Sequence, residues 1–333
     1  MGNDHTLALV GSESLLGREI RDMADAFAPG FALRLFAGDD KEPGVLTRVG
    51  DEPAMIGALD PAGLDDARAI LLAGSPESSR KALELAKSLS GATIIDMTYA
   101  AEELPDARLR APVIESAPAE GDLHVIAHPA AIAVALLLRR LQTLDPIVRS
   151  VIQVFAPASE HGAEGVEELQ QQAVSLFSFK SLPKAMFDTQ LAFNLLARYG
   201  DEAPLPLEDS ELRIERHLAT LLAFPGDGER APMPSLHLAQ APVFHGYSFS
   251  VWVEFADDLE LDELESGLAG GAIEVRGREF EPPSNVGQAG QSGIAVGAVA
   301  PDRNQAHAYW FWMVADNLRL AAENALAVVR ELA

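Results

Sequence analysis

HTLALVGSESLLGREIRDMADAF, His5 to Phe27, is the stretch that decides the fold class. His5 to Val10 reads as a buried strand, GSESLLG as a turn, and REIRDMADAF places its apolar residues at helical spacing. A strand, a glycine turn and a helix in that order make the opening of a βαβ unit, whose helix start presents backbone N–H groups to an anion. Further along, a second apolar run at Phe31 to Ala37 ends in the acidic turn GDDKEPG. Two more runs, Ala69 to Ala73 and Thr93 to Asp96, flank the helical stretch SSRKALELAKSL. Strands alternating with helices predict a parallel, doubly wound α/β sheet.

The character changes between residues 125 and 145. VIAHPAAIAVALLL, Val125 to Leu138, is an apolar helix opened by a proline, and after it RSVIQVFAPAS and HGYSFSVWVEF read as strands of a mostly antiparallel sheet with helices on one face. The second half is therefore α+β, and Leu318 to Leu332 forms a final amphipathic helix. In AYWFWMV, Trp310 and Trp312 alternate with Tyr309 and Phe311, which predicts a strand buried on both sides, in core or dimer packing rather than a ligand cage.

Composition narrows the function. The 333 residues carry 50 acidic against 25 basic side chains, a formal charge of −25, so nucleic acid and anionic membranes are repelled. The longest apolar run, Pro129 to Leu138, is too short to span a bilayer, and MGNDHTLALV has no basic leader, so the expectation is a cytoplasmic protein. The chain contains no cysteine, which removes disulfides, thiolate ligands and every thiol mechanism. No paired spacing suggests a metal site; His161, Glu164 and Glu168 would share a helical face, read as charged and solvent-facing.

In the first turn, Gly11, Ser14 and Gly17 stand where a dinucleotide fingerprint has its three glycines. Glu13 sets a carboxylate in the same turn. The alternative is a tight β-turn-α connection that binds nothing. Asp39 and Asp40 follow the second strand, where an acid accepts from a ribose 2′-OH and repels a 2′-phosphate, so NAD is favoured over NADP if either binds; a solvated acidic turn is the other reading.

Seven segments in order resemble the aspartate-semialdehyde dehydrogenase family. GSESLLG stands for its GATGxVG, AGSPESSRKALELA for the segment after its fourth strand, and GATIIDMTYAAEELPDARLRAPVIE for its GxxVIDNSSxFRxxxxVPLVVPEVN. ASEHGAEGVEEL resembles SGAGxxGxEEL, LAFNLLARYGD resembles IAFNVIPxIGx, APVFHGYSFSVWVEF resembles RVPVxxGHSxxVxVEF, and VADNLRLAAENAL resembles ADNLRKGAAxNA. The resemblance implies a glyceraldehyde-3-phosphate dehydrogenase-like architecture: a Rossmann-type domain over residues 1–130, a mixed or antiparallel dimerisation domain over 131–315, and a helix at 316–333 returning to the first.

The family's chemistry uses a cysteine in NPNC whose thiolate attacks the aldehyde, with hydride passing to NADP and phosphate releasing the acyl group. The matching residues here are His128, Pro129, Ala130 and Ala131, so Ala131 takes the nucleophile's place. Tyr247 stands for the family's base, Ala156 for its orienting glutamine, Gln240 for the arginine that grips the substrate carboxylate, and Glu102 for the phosphate-binding arginine. Of the family's ExxK pair only a cation survives, as Arg213, with Ser210 in the acidic position. The losses are concerted, so the chain is read as a non-catalytic, homodimeric paralogue similar to the Usg branch, whose first domain either keeps residual NAD or NADP binding or is inherited scaffold. The alternative is an NAD(P)-dependent aldehyde or ketone oxidoreductase working through His245 or Tyr247 without a thiol; the third reading is a structural partner that forms heterodimers with a catalytic relative.

Overall fold

The computed structural model describes residues 5–38, 43–50, 52–87, 91–226 and 229–332. The chain forms two compact units, one made of the residues up to Ala127 and those from Ala321 onward, the other of His128–Leu320.

In the first unit the elements run β1 (His5–Val10), α1 (Leu15–Phe27), β2 (Phe31–Phe36), β3 (Leu46–Val49), β4 (Glu52–Met55), α2 (Pro61–Leu64), β5 (Ala67–Leu72), α3 (Pro76–Ala86), β6 (Thr93–Asp96), β7 (Arg108–Arg110) and β8 (Leu123–Ile126). The main sheet has the order β2-β1-β5-β6-β8-β7 with every pairing parallel, and β3 and β4 form a separate antiparallel hairpin. The chain leaves β1 toward β2 and later returns to pair β5 on the other flank, so the order reverses at the carboxyl ends of β1 and β5, where open α/β sheets bind ligands. Leu7, Ala8, Leu9 and Val10 are fully buried, as a strand covered on both faces requires. Arg110, also fully buried, is neutralised by Glu115 and by Glu331 near the chain's end, each at 2.7–2.8 Å.

The second unit runs α4 (Pro129–Gln142), β9 (Ile147–Ala156), a 3₁₀ turn (Ala158–His161), α5 (Gly162–Phe177), α6 (Leu207–Ala223), β10 (Ser235–Gln240), β11 (Tyr247–Phe255), α7 (Leu261–Leu268), β12 (Ile273–Arg276), α8 (Asn285–Gln288), β13 (Ile294–Pro301) and β14 (Ala308–Ala315); α9 (Asn317–Arg330) starts in it. Its sheet has the order β10-β9-β11-β14-β13-β12, antiparallel in the middle and parallel at both outer pairs. Helix α4 is buried on nearly every side, which is why its sequence is apolar without a polar stripe. Its basic last turn is used: Arg139 donates to the carbonyls of Leu221, Phe224 and Pro225 at the end of α6, and Arg140 to those of Gly267 and Ala269 at the end of α7.

One expectation is corrected in this sheet. The β14 strand is not buried on both sides: Tyr309 and Phe311 are buried, but Trp310 is 43% exposed and Trp312 half-buried. Aromatic residues occupy both faces of the strand, yet only one face is covered within the chain. Across the strands, Trp252 of β11 lies opposite both Trp310 and Val151, which is also exposed.

The first turn depends on glycine in a way the backbone makes explicit. Gly11 has φ +79°, and a Cβ there would lie 2.2 Å from the Cα of Gly74. Gly30 has a similar φ of +91° with open space around it. Gly11→Ala is therefore expected to lower unfolding free energy by about 3 kcal/mol or more, adding a backbone clash to the strain, and Gly30→Ala by about 1 kcal/mol. Urea denaturation of the two variants checks this; equal losses would mean that the turns can separate without cost.

Candidate functional site

The two units each bring together part of the residues singled out in the sequence. In the first unit, Ser14 is the N-cap of α1: its hydroxyl accepts from Gly17 N–H at 2.8 Å and donates to the Ala73 carbonyl at the end of β5 at 2.6 Å. A Cβ on Gly17 would meet the Gly11 carbonyl at 2.3 Å, so this glycine sets the close packing of helix on strand. Glu13 does not stand as a bare charge in the turn; it is paired with Arg21 and, at 3.5 Å, with Arg18. The Ser12 hydroxyl is buried without a partner among the described residues. The N–H groups of Gly11 and Ser12 are bonded to the Phe36 carbonyl and that of Ser14 to the Gly11 carbonyl, so what a dinucleotide pyrophosphate would meet here is the glycine-built close approach, the helix start and the unmatched Ser12 hydroxyl. Asp39 and Asp40 lie outside the described residues.

Glu102 belongs to the same unit, in the turn after β6, half-buried with its N–H bonded to the Tyr99 carbonyl. That turn is organised by Asp96, whose carboxylate accepts from Thr98 N–H, Thr98 Oγ1 and Ala101 N–H. Burial pushes Asp96 above the usual carboxylate value, against these hydrogen bonds.

The second unit holds the residues that the family resemblance sets at the nucleophile and its surroundings. Ala131 is fully buried in the first turn of α4, and Ala156 is buried at the end of β9. His128 caps α4: its Nδ1 accepts from Ala130 N–H at 3.2 Å, so the ring's hydrogen sits on Nε2, which donates to Glu160 Oε1 at 2.8 Å. Tyr247, the first residue of β11 and fully buried, donates its hydroxyl to the other oxygen, Glu160 Oε2, at 2.8 Å. His128 N–H donates in turn to Nδ1 of His217 on α6. Burial works to raise the Glu160 carboxyl, but its interactions with the His128 imidazole, the Tyr247 hydroxyl and the neighbouring His161 together outweigh it and hold Glu160 at about 2.

His161, the next residue, feeds a second network. The Gln240 amide nitrogen donates to the Ala156 and Ala241 carbonyls, which leaves Oε1 to accept the Tyr199 hydroxyl at 2.7 Å; the Tyr199 oxygen then accepts from His161 Nε2 at 2.8 Å. Gln240 is fully buried and saturated by these bonds, so its amide is not offered to a ligand. Burial pushes His161 down and Tyr199 up, both toward the neutral form. His245 is half-buried with its Nδ1 unpartnered among the described residues, and its carbonyl accepts from Asn285.

One further expectation changes. His161, Glu164 and Glu168 do not form a solvent-facing row: Glu164 is exposed, but Glu168 is buried and accepts from Met186 and Phe187 N–H, fastening the segment after α5. Gln172, one turn on, accepts from Leu191 and Ala192 N–H in the same way. Arg213 is half-buried and engaged on α6, while its neighbour Glu211 pins β10 through His237 Nδ1 and Leu238 N–H. Sequence reasoning missed Glu160, Tyr199 and His217. For Glu160 a signal existed: SEHG stands where SGAG would leave only hydrogens and a methyl group, so a carboxylate and an imidazole enter at Glu160 and His161.

Glu160 makes a pH-dependent prediction. Its folded value of about 2 lies below the ordinary 4.5, so its contribution is full above pH 4.5 and lost as pH falls toward 2. The shift corresponds to roughly 3 kcal/mol. The stability difference between the parent and Glu160→Gln, followed by urea denaturation from pH 6 to pH 2.5, should therefore shrink in the acid range; a constant difference would show that the carboxylate's charge is not what the site holds.

Comparison with known proteins agrees with this architecture. Residues 138–320 match the family model described as semialdehyde dehydrogenase, dimerisation domain. An aspartate-semialdehyde dehydrogenase of Prochlorococcus marinus is 26% identical, covering 98% of this chain and 95% of its own, and a USG-1 protein homolog of Pseudomonas aeruginosa is 29% identical, covering 100% and 98%. A solved structure of a probable aspartate-semialdehyde dehydrogenase from Pseudomonas aeruginosa superposes with a TM-score of 0.84 at 27% identity, over 98% of each chain. With its parallel first sheet, its mixed second sheet and a dimerisation domain matched over more than half its length, the chain belongs to the semialdehyde dehydrogenase family.

Proposed function

We propose that this protein is a non-thiol paralogue of the aspartate-semialdehyde dehydrogenases that does not perform their phosphorylating aldehyde oxidation, and that it acts as a homodimeric dinucleotide-binding protein. The observation that carries this reading is the start of α4: a buried methyl group, Ala131, occupies the nucleophile's place, and the two side chains best able to move protons there, His128 and Tyr247, both give their hydrogens to Glu160. The family's anion clamps are absent as well, since Glu102 and Gln240 stand in their positions. A carbonyl reductase using Tyr247 as acid would first have to withdraw that hydroxyl from Glu160; the unpartnered Nδ1 of His245 is the feature that favours such an enzyme.

The close glycine approach at Gly11 and the unmatched Ser12 hydroxyl support pyrophosphate binding, and Asp39 and Asp40 favour NAD by repelling a 2′-phosphate. A bound nicotinamide would supply hydride chemistry, for which this chain offers no thiol partner. Calorimetric titration with NAD and NADP, followed on the same sample by an absorbance assay with aspartate semialdehyde and phosphate, tests the reading. The expected result is binding, tighter for NAD, without turnover. Ala131→Cys alone should remain inactive, because Glu160, Tyr247 and Gln240 still fill the surroundings; phosphate-dependent turnover by the parent protein would overturn the proposal.

The open face of the second sheet supports a homodimer. Trp252, Trp310, Val151 and Phe155 share it, and the bridge between Leu196 and Gln240 puts exposed Leu195 on the same side at the β10 edge. Both Trp252 and Trp310 donate their indole N–H to Asp302, and the Arg149 guanidinium lies over the Trp252 ring at 5.4 Å, so the face combines apolar rings with one cation. Among the described residues no helix is long and apolar enough to cross a membrane, which accords with a cytoplasmic dimer. Trp310→Glu should convert the dimer to monomer in sedimentation equilibrium without altering the far-ultraviolet spectrum; a monomeric parent would remove this part of the reading.

A further inference from the structure

We propose that the His128 imidazole and the Tyr247 hydroxyl form a binding site for a small carboxylate, and that the chain fills this site with its own Glu160. Two hydrogen donors from separate elements meet one carboxylate, one on each oxygen, both at 2.8 Å. Neither donor needs Glu160 to hold its place. His128 is fixed as the cap of α4 by the Ala130 N–H on its Nδ1 and by its own N–H on His217. Tyr247 is fixed in the register of β11 against β14, with its ring 5.9 Å from that of Phe249. The two rings lie edge to face, 5.8 Å apart, and both residues are fully buried.

The acceptor differs from the donors in kind. Glu160 sits on a single 3₁₀ turn, and its side chain is 16% exposed where the His128 side chain is fully buried. The start of α4, a helix of 14 residues, adds its partial positive charge to the same place. The site therefore has the character of a preformed anion pocket with a tethered occupant. Such an occupant excludes a free carboxylate by direct competition and by charge, so the parent protein takes no ligand there. This inference stands on the three side chains and goes beyond the reading of the chain as a catalytically silent paralogue.

Removing the occupant creates a defined vacancy. Beyond its Cβ, Glu160 carries one methylene and a carboxylate, so Glu160→Ala removes the acceptor of both 2.8 Å hydrogen bonds and leaves a space of the size of acetate. The test is thermal unfolding of the parent, Glu160→Ala and Glu160→Gln in sodium acetate, against sodium chloride of equal ionic strength. The expected result is a lowered midpoint in Glu160→Ala, most of which saturating acetate restores, with no acetate-specific change in the parent or in Glu160→Gln, where the side chain still fills the space. A bulky carboxylate, pivalate, should restore nothing. An unfolded Glu160→Ala protein that acetate refolds also supports the site. Equal responses of all three proteins, or equal effects of acetate and chloride, would overturn it. Carboxyl carbon-13 resonance on the parent gives an independent reading, with the Glu160 signal assigned by its loss in Glu160→Gln: the signal should remain that of the ionised form at pH 3.5, and an ordinary titration near 4.5 would refute a carboxylate seated on two donors.

Discussion

The Glu160 carboxylate, accepting from His128 on one oxygen and from Tyr247 on the other, ties the start of α4 and the start of β11 to the turn that follows β9. Three elements distant in sequence thus share one charged group, and the polarity of every bond is forced. Its neighbour His161 starts a second chain whose direction is equally fixed, from the carbonyls of Ala156 and Ala241 back through Gln240 and Tyr199. Buried polar groups are costly when unmatched and stabilising when a network closes, so a turn that feeds two closed networks is held rigidly. The same closure commits the hydrogens of Gln240, Tyr247 and His128 to partners within the chain.

A chain with twice as many acidic as basic residues has to place carboxylates where a cation is not always to hand. The fold does so by giving them N–H donors. Glu168 takes two backbone N–H groups of the segment after α5, Asp96 takes two in the turn after β6, and Glu211 takes one from β10. One buried cation serves two acids: Arg110 holds Glu115 and Glu331 in the first unit. Glu13 is the converse, one acid facing Arg18 and Arg21. In both units, then, a carboxylate of the chain itself stands beside donors that would suit a bound anion, Glu13 near the first helix start and Glu160 near α4. The anions are internal because the side chains at these two turns are longer than the family pattern has them.

The period of the apolar residues made most of the elements legible. Thr93–Asp96 matches its strand residue for residue, and the first strand and helix begin and end close to where HTLALV and the amphipathic run place them. Alternation also made RSVIQVFAPAS and HGYSFSVWVEF legible as strands of the second sheet, where β9 and β11 lie. What the sequence hid was long-range pairing. Nothing local to SEHG tells that Glu160 meets a residue 87 positions later, and nothing in the spacing of His161, Glu164 and Glu168 tells that Glu168 turns inward to meet a loop. The β14 strand misled for a related reason: aromatic residues on both faces read as burial on both faces, whereas one of those faces is covered only if something outside the chain covers it.

Strand β11 joins these themes, because its alternation assigns the two roles to opposite sides. Tyr247, Phe249, Val251 and Val253 are buried, while Ser250, Trp252 and Glu254 lie on the open face. The register Trp252 to Trp310 on one flank and Trp252 to Val151 on the other fixes which residue faces which way. A slip by one position would carry Tyr247 out of reach of Glu160 and turn the indole of Trp252 into the core. The hydrogen bond from Tyr247 to Glu160 on one side and the shared Asp302 acceptor of the two indoles on the other therefore select the same register. The strand cannot loosen without losing the open tryptophan face, and the polar anchor at its first residue keeps the register that sets that face.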